Sequence, residues 1–147
     1  MYKHILVATD GSDLSQKAVD HAIALAGICQ GDLLVVKVVP RYPQTYFEGA
    51  MSLTQEDAAR IEATWAQQSR ATVDTAVAQA SAAGVTARGQ VIKSDVISDA
   101  LIDTAKTGHI DLIVMASHGR KGISRMLLGS ETQQVLTHSS TPVLVLR

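Results

Sequence analysis

Short runs of Val, Ile and Leu, alternating with longer segments of helical spacing, constrain this chain more than any other feature. The runs occupy residues 4–9, 32–39, 110–116 and 142–146, with a weaker, more polar one at 85–92. Runs that are apolar at successive positions suit strands buried on both faces, and such strands belong to parallel sheets. Between them, Leu14, Ala18, His21, Ala22 and Leu25 trace a stripe over 13–29. Helical spacing returns over about 54–82, over about 95–107 (Val96, Ala100, Leu101, Ala105), and from Ser130 to His138 before Pro142. Strand and helix in turn, ending on a strand, predict an α/β fold with helices on both faces of a parallel sheet and right-handed crossovers. The 147 residues suit one domain, and no low-complexity tract or internal repeat marks a boundary within 1–147.

The element ends carry matching signals. Ser12 or Asp13 supplies the N-cap oxygen of the first helix, and Gly31 and Asp32 make the turn after it. Thr54 with Asp57 resembles a capping box, Gly84 ends the second helix and Gly108 the third. The long irregular stretch 40–53 holds Pro40, Pro43, Gly49 and the aromatics Tyr42, Tyr46 and Phe47. It reads either as a functional loop closing over a ligand or as a disordered surface loop. His4 is expected in the core or at an edge, Cys29 as a small buried side chain, and Trp65, Val73 and Val77 as a packing face.

Composition removes several function classes. A formal net charge of −1 and 3% aromatics do not suit a nucleic-acid binder. A single cysteine makes no internal disulfide, and no Cys/His spacing resembles a zinc site, so no metal is expected. Ile5–Ala8 is too short for a secretory signal and no stretch approaches a membrane span, so a cytoplasmic protein without membrane contact is expected.

Ligands of open parallel sheets bind beyond the carboxyl ends of the strands. Three such ends carry small or polar residues: Ala8-Thr9-Asp10-Gly11-Ser12, Val38-Val39-Pro40, and Met115-Ala116-Ser117-His118-Gly119. Asp10 suits ribose hydroxyls; it equally suits a cap or turn. From Ala116 the chain runs through Gly119 and Gly129 to Ser130 at a helix start. Glycines let backbone approach phosphate oxygens, and the orphan N–H groups from Ser130 to Thr132 are anion donors. Arg120, Lys121 and Arg125 add positive charge nearby. Neither a Gly-x-x-x-x-Gly-Lys-Ser/Thr loop nor Gly-x-Gly-x-x-Gly is present.

Taken together, these residues resemble the universal stress protein family. Its ATP-binding members carry Gly-x-x-Gly, nine residues, then Gly-Ser or Gly-Thr; here Ala116-Ser-His-Gly119, residues 120–128 and Gly129-Ser130 stand in that pattern. The opening Ile5-Leu-Val-Ala-Thr-Asp-Gly-Ser12 and the ending Thr141-Pro-Val-Leu-Val-Leu146 are similar to the family's first and last strands. The resemblance implies a three-layer sandwich whose five parallel strands run in the order 3-2-1-4-5, and a homodimer paired through 142–146. It places adenine against Ala8, Thr9 and Val38, ribose near Asp10 and Ala116, and phosphates over Gly119, Gly129, Ser130 and Thr132. Met115, His118 and Arg120 belong to the same strand end and loop. Two residues depart from a plain phosphate site. Ala116 replaces the first glycine, so its methyl either crowds the ribose or points away. Glu131 puts a carboxylate in the first turn of the phosphate-facing helix, where it competes with a phosphate.

The function expected is a homodimeric stress-response or signalling module that binds an adenine nucleotide, ATP or AMP, with Mg²⁺ accompanying the phosphates. Two alternatives stand beside it. One is slow ATP hydrolysis or self-phosphorylation on Ser130 or Ser124. The other is a dimeric interaction module without nucleotide affinity, which Ala116 favours.

Overall fold

The computed structural model describes residues 1–41, 54–119 and 128–147. Its elements alternate as read: β1 (His4–Ala8), α1 (Asp13–Cys29), β2 (Asp32–Val39), α2 (Gln55–Ala82), β3 (Ala87–Lys93), α3 (Ile97–Thr107), β4 (Leu112–Ala116), α4 (Ser130–His138) and β5 (Val143–Leu146). The strands form one parallel sheet in the order β3-β2-β1-β4-β5. Chain order reverses between β1 and β4, which puts a crevice at their carboxyl ends.

Strand alternation sorts the core into two layers. Ile5, Val7, Leu33, Val35, Leu112 and Val114 pack against Ala18, Val19, Ala22 and Ile23 of α1 and Val73, Ala76 and Ala80 of α2. Leu6, Leu34, Val36, Ile113 and Met115 face the other way, onto Leu101 and Ala105 of α3 and Val135 of α4. Both faces of the inner strands are therefore dry, which is why their sequences run apolar without a break. No helix among the described residues is long and apolar enough to cross a membrane.

Several local expectations shift. The buried stripe of α1 is Ser15, Ala18, Val19, Ala22, Ile23 and Ala26. Leu14 and Leu25 are only half-buried, and His21 is exposed. In a helix this rich in apolar residues two stripes compete, and the one carrying Val19 and Ile23 onto the sheet prevails. Ser12 is the N-cap, and Gln30, not Gly31, takes the left-handed turn at φ 53°. Helix α3 begins at Ile97 rather than 95, because the Ser94 hydroxyl bonds the N–H and carbonyl of Val96 and holds that segment in a turn. Val96 is thus an exposed cap residue instead of a core one.

Thr54 caps α2 as expected: the N–H of Asp57 bonds its hydroxyl oxygen at 3.3 Å. His4 is neither core nor edge. It starts the central strand β1, is exposed, and pairs with Asp32 at 2.8 Å. Cys29 is half-buried at the end of α1, where the Lys3 ammonium bonds its carbonyl at 2.7 Å. The aromatics Tyr42, Tyr46 and Phe47 lie outside the described residues.

Candidate functional site

The turn from β1 into α1 is built on hydroxyls. Ser15, buried in the first turn of α1, donates to the Ser12 carbonyl at 2.9 Å. It receives the Asp10 N–H at 3.4 Å and lies 3.1 Å from the Thr9 hydroxyl, which accepts from the N–H of Gly11 at 3.2 Å. Asp10 Oδ1 accepts from the N–H of Ser12 at 2.9 Å, so the turn reading of Asp10 is met by one oxygen. The Thr9 hydroxyl is occupied inside this knot and shapes the turn.

Across the crevice, the end of β4 is bound to the start of α4. The N–H of Gly129 donates to the Ser117 carbonyl at 2.7 Å, and the buried Thr132 hydroxyl donates to the Ala116 carbonyl at 3.0 Å. These bonds set the N-terminus of α4 beside the mouth of β4, with Gly129 as its cap residue and no side-chain cap. Both glycines are places of close approach. A Cβ on Gly119 would stand 2.8 Å from Asp10 Oδ2, and one on Gly129 would stand 3.2 Å from His118 Cα and from the Ser117 carbonyl oxygen. The Ser130 hydroxyl donates to Glu131 Oε2 at 3.0 Å, and the hydroxyl oxygen of Ser117 lies 3.1 Å from His118 Nδ1.

These pieces enclose an open cleft of about 570 Å³ at the carboxyl ends of β1, β2 and β4. It gathers Ala8, Thr9, Asp10, Val38, Met115, Ala116, His118, Gly119, Gly129, Ser130, Glu131 and Thr132, every residue assigned to the nucleotide itself except Arg120. Arg120, Lys121, Ser124 and Arg125 lie outside the described residues. Four lining residues escaped the sequence reading, Ser15, Val36, Ile97 and Leu101, while Pro40 lines the cleft from the strand end named for it. Val36 was within reach, since it shares a strand face with Val38. Ile97 and Leu101 are spaced four apart on the first turns of α3, a signal that gains meaning only once α3 is known to roof the cleft.

The cleft has two characters. One part is walled by Ala8, Val36, Val38, Ile97, Leu101 and Met115; the other holds Asp10, His118, Gly119 and the opening of α4. Ala116 follows Val114 at the next position on the α1 side of the sheet, and its cross-strand partner Leu146 packs against that same layer. The alternation therefore directs the Ala116 methyl away from the apolar part of the cleft. Among the described residues no group of three or more His, Cys, Asp or Glu is placed to hold a metal ion.

Residues 1–147 match the model of the Universal stress protein family. The chain belongs to that family. Universal stress protein YxiE of Bacillus subtilis is 30% identical over 149 residues, which cover 100% of each chain. The solved structure of MJ0577 from Methanocaldococcus jannaschii superposes with a TM-score of 0.83 over 99% of this chain and 96% of its own, at 22% identity, and shows the shared fold. A universal stress protein in complex with cAMP superposes with a TM-score of 0.68 over 99% of this chain and 97% of its own, at 28% identity. The five-stranded order read from the family resemblance is the order of this sheet.

Proposed function

We propose that this universal stress protein is a reversible adenine-nucleotide-binding module, acting in the cytoplasm as one unit over 1–147. The observation that carries the proposal is a single cleft joining an apolar slot to a polar end at a helix N-terminus, the two chemistries a nucleotide needs side by side. Adenine enters between Ala8, Val38 and Met115 on the sheet and Ile97 and Leu101 on α3. The ribose lies over Asp10, and the phosphate meets Gly119, Gly129 and the first N–H groups of α4. The relative bound to cAMP supports the same assignment.

The departure at Ala116 does not speak against this reading, because strand alternation turns its methyl toward the α1 side of the sheet. Mg²⁺ enters as the companion of a nucleotide's phosphates rather than as a resident ion. The open backbone edge of β5, with Leu144 38% exposed, supports pairing of two copies through 142–146. Base and sugar contacts are common to ATP, AMP and a cyclic nucleotide; the phosphate end separates them.

Calorimetric titration with AMP, cAMP and ATP tests the proposal, together with identification of any nucleotide released on denaturing the purified protein. A micromolar dissociation constant, about −8 kcal/mol, is expected for at least one of them. No heat with any nucleotide, and none released, counts against nucleotide binding and leaves the dimeric interaction module.

A further inference from the structure

Two features of the phosphate end of the cleft bear on how many phosphates it accepts. The positive end of α4 already has the Glu131 carboxylate in its first turn. Both hydroxyls there are committed within the protein: Ser130 donates to Glu131 at 3.0 Å, and Thr132 donates to the Ala116 carbonyl at 3.0 Å.

Accepting the adenine-nucleotide reading on which this rests, we infer that Glu131 is a charge filter that makes the site prefer a nucleotide with one phosphate group, AMP or a cyclic monophosphate, over ADP and ATP. Gly129 packs on His118, next to Gly119 and Asp10, so the stretch beside the ribose serves the first phosphate. Further phosphates extend along Ser130 toward Glu131, and each brings negative charge up to a carboxylate. A unit charge pair at such an exposed edge changes affinity by about threefold to tenfold. One phosphate takes backbone N–H groups without meeting that opposition.

The experiment titrates the wild-type protein and Glu131→Gln with cAMP, AMP, ADP and ATP, at fixed Mg²⁺ and at low and high salt. Glutamine keeps an acceptor for the Ser130 hydroxyl and removes the charge. Wild-type affinity is expected to fall about tenfold or more from AMP to ATP, with the gap narrowing at high salt. Glu131→Gln is expected to tighten ATP about tenfold and AMP about threefold or less. Wild-type protein holding ATP as tightly as AMP, or a variant whose ATP affinity is unchanged or weaker, overturns the filter and leaves the nucleotide reading standing. No adenine nucleotide bound by either protein overturns both. If the variant fails to fold, the wild-type ranking decides alone.

Discussion

Alanine at Gly119 separates the two jobs this glycine has in the account. The added Cβ would meet Asp10 Oδ2 at 2.8 Å, with Asp10 Cγ next at 3.9 Å, against the 3.4 Å where ordinary contact begins. Oδ1 of the same carboxylate is tied to the Ser12 N–H at 2.9 Å, so Oδ2 yields by twisting the group against that anchor. Only a side-chain tip has to move, which puts the folding cost at the low end of overpacking, about 1 kcal/mol. Thermal melting should fall by roughly 3 °C in a chain of this size. The loss at the ligand is larger. A hydrogen bond between a carboxylate and a ribose hydroxyl is worth about 1.5–3 kcal/mol, so AMP affinity should drop roughly tenfold to a hundredfold. Calorimetry on Gly119→Ala, Asp10→Asn and the double variant reads the coupling. If the methyl acts through Asp10, the double variant binds no worse than Asp10→Asn alone. Additive losses would show that Gly119 acts through its own backbone, and unchanged AMP binding in Gly119→Ala would refute the placement of Asp10 at the ligand.

Further variants probe the frame and the partner. Gly89→Ala on β3 would overlap Val73 Cγ1 and press Val77 Cγ2 at 3.2 Å. Urea unfolding should show a loss of about 2–3 kcal/mol. Val73→Ala in the same chain should cost less than the two losses added. Ser15→Ala removes the hub of the β1–α1 turn, so a loss of about 1–3 kcal/mol and weaker nucleotide binding are expected, read by the same unfolding assay and by calorimetry. Leu144→Lys places a charge on the β5 edge; sedimentation should show monomers, whereas dimers persisting in the variant would exclude β5 as the interface.

The fold was largely legible because its signals are redundant. Apolar runs, helical spacing and caps such as Ser12 and Thr54 all point to alternating strands and helices, while the strand order came from the family resemblance. What was misread depends on contacts that periodicity does not register, one distant in sequence and one local. The stripe of α1 is chosen by the sheet it meets, and Val96 is kept out of α3 by a turn that Ser94 forms. The candidate site was legible where it lies on strand ends and the glycine pattern. Ile97 and Leu101 were not, since nothing in the sequence says that the start of α3 closes over the end of β2. Nor does sequence reveal that Gly119 and Gly129 are constrained by Asp10 and by the Ser117–His118 backbone, a close packing that exists only in three dimensions.

Amide and methyl chemical-shift mapping during titration with AMP tests the central claim most directly, because it reports where the nucleotide sits. The largest changes are expected at the N–H groups of Gly119 and of Ser130, Glu131 and Thr132, and at the methyl groups of Ala8, Val38 and Met115. Saturating AMP that leaves these signals in place, or that shifts only residues away from the cleft such as those of α2 and β3, would contradict the account.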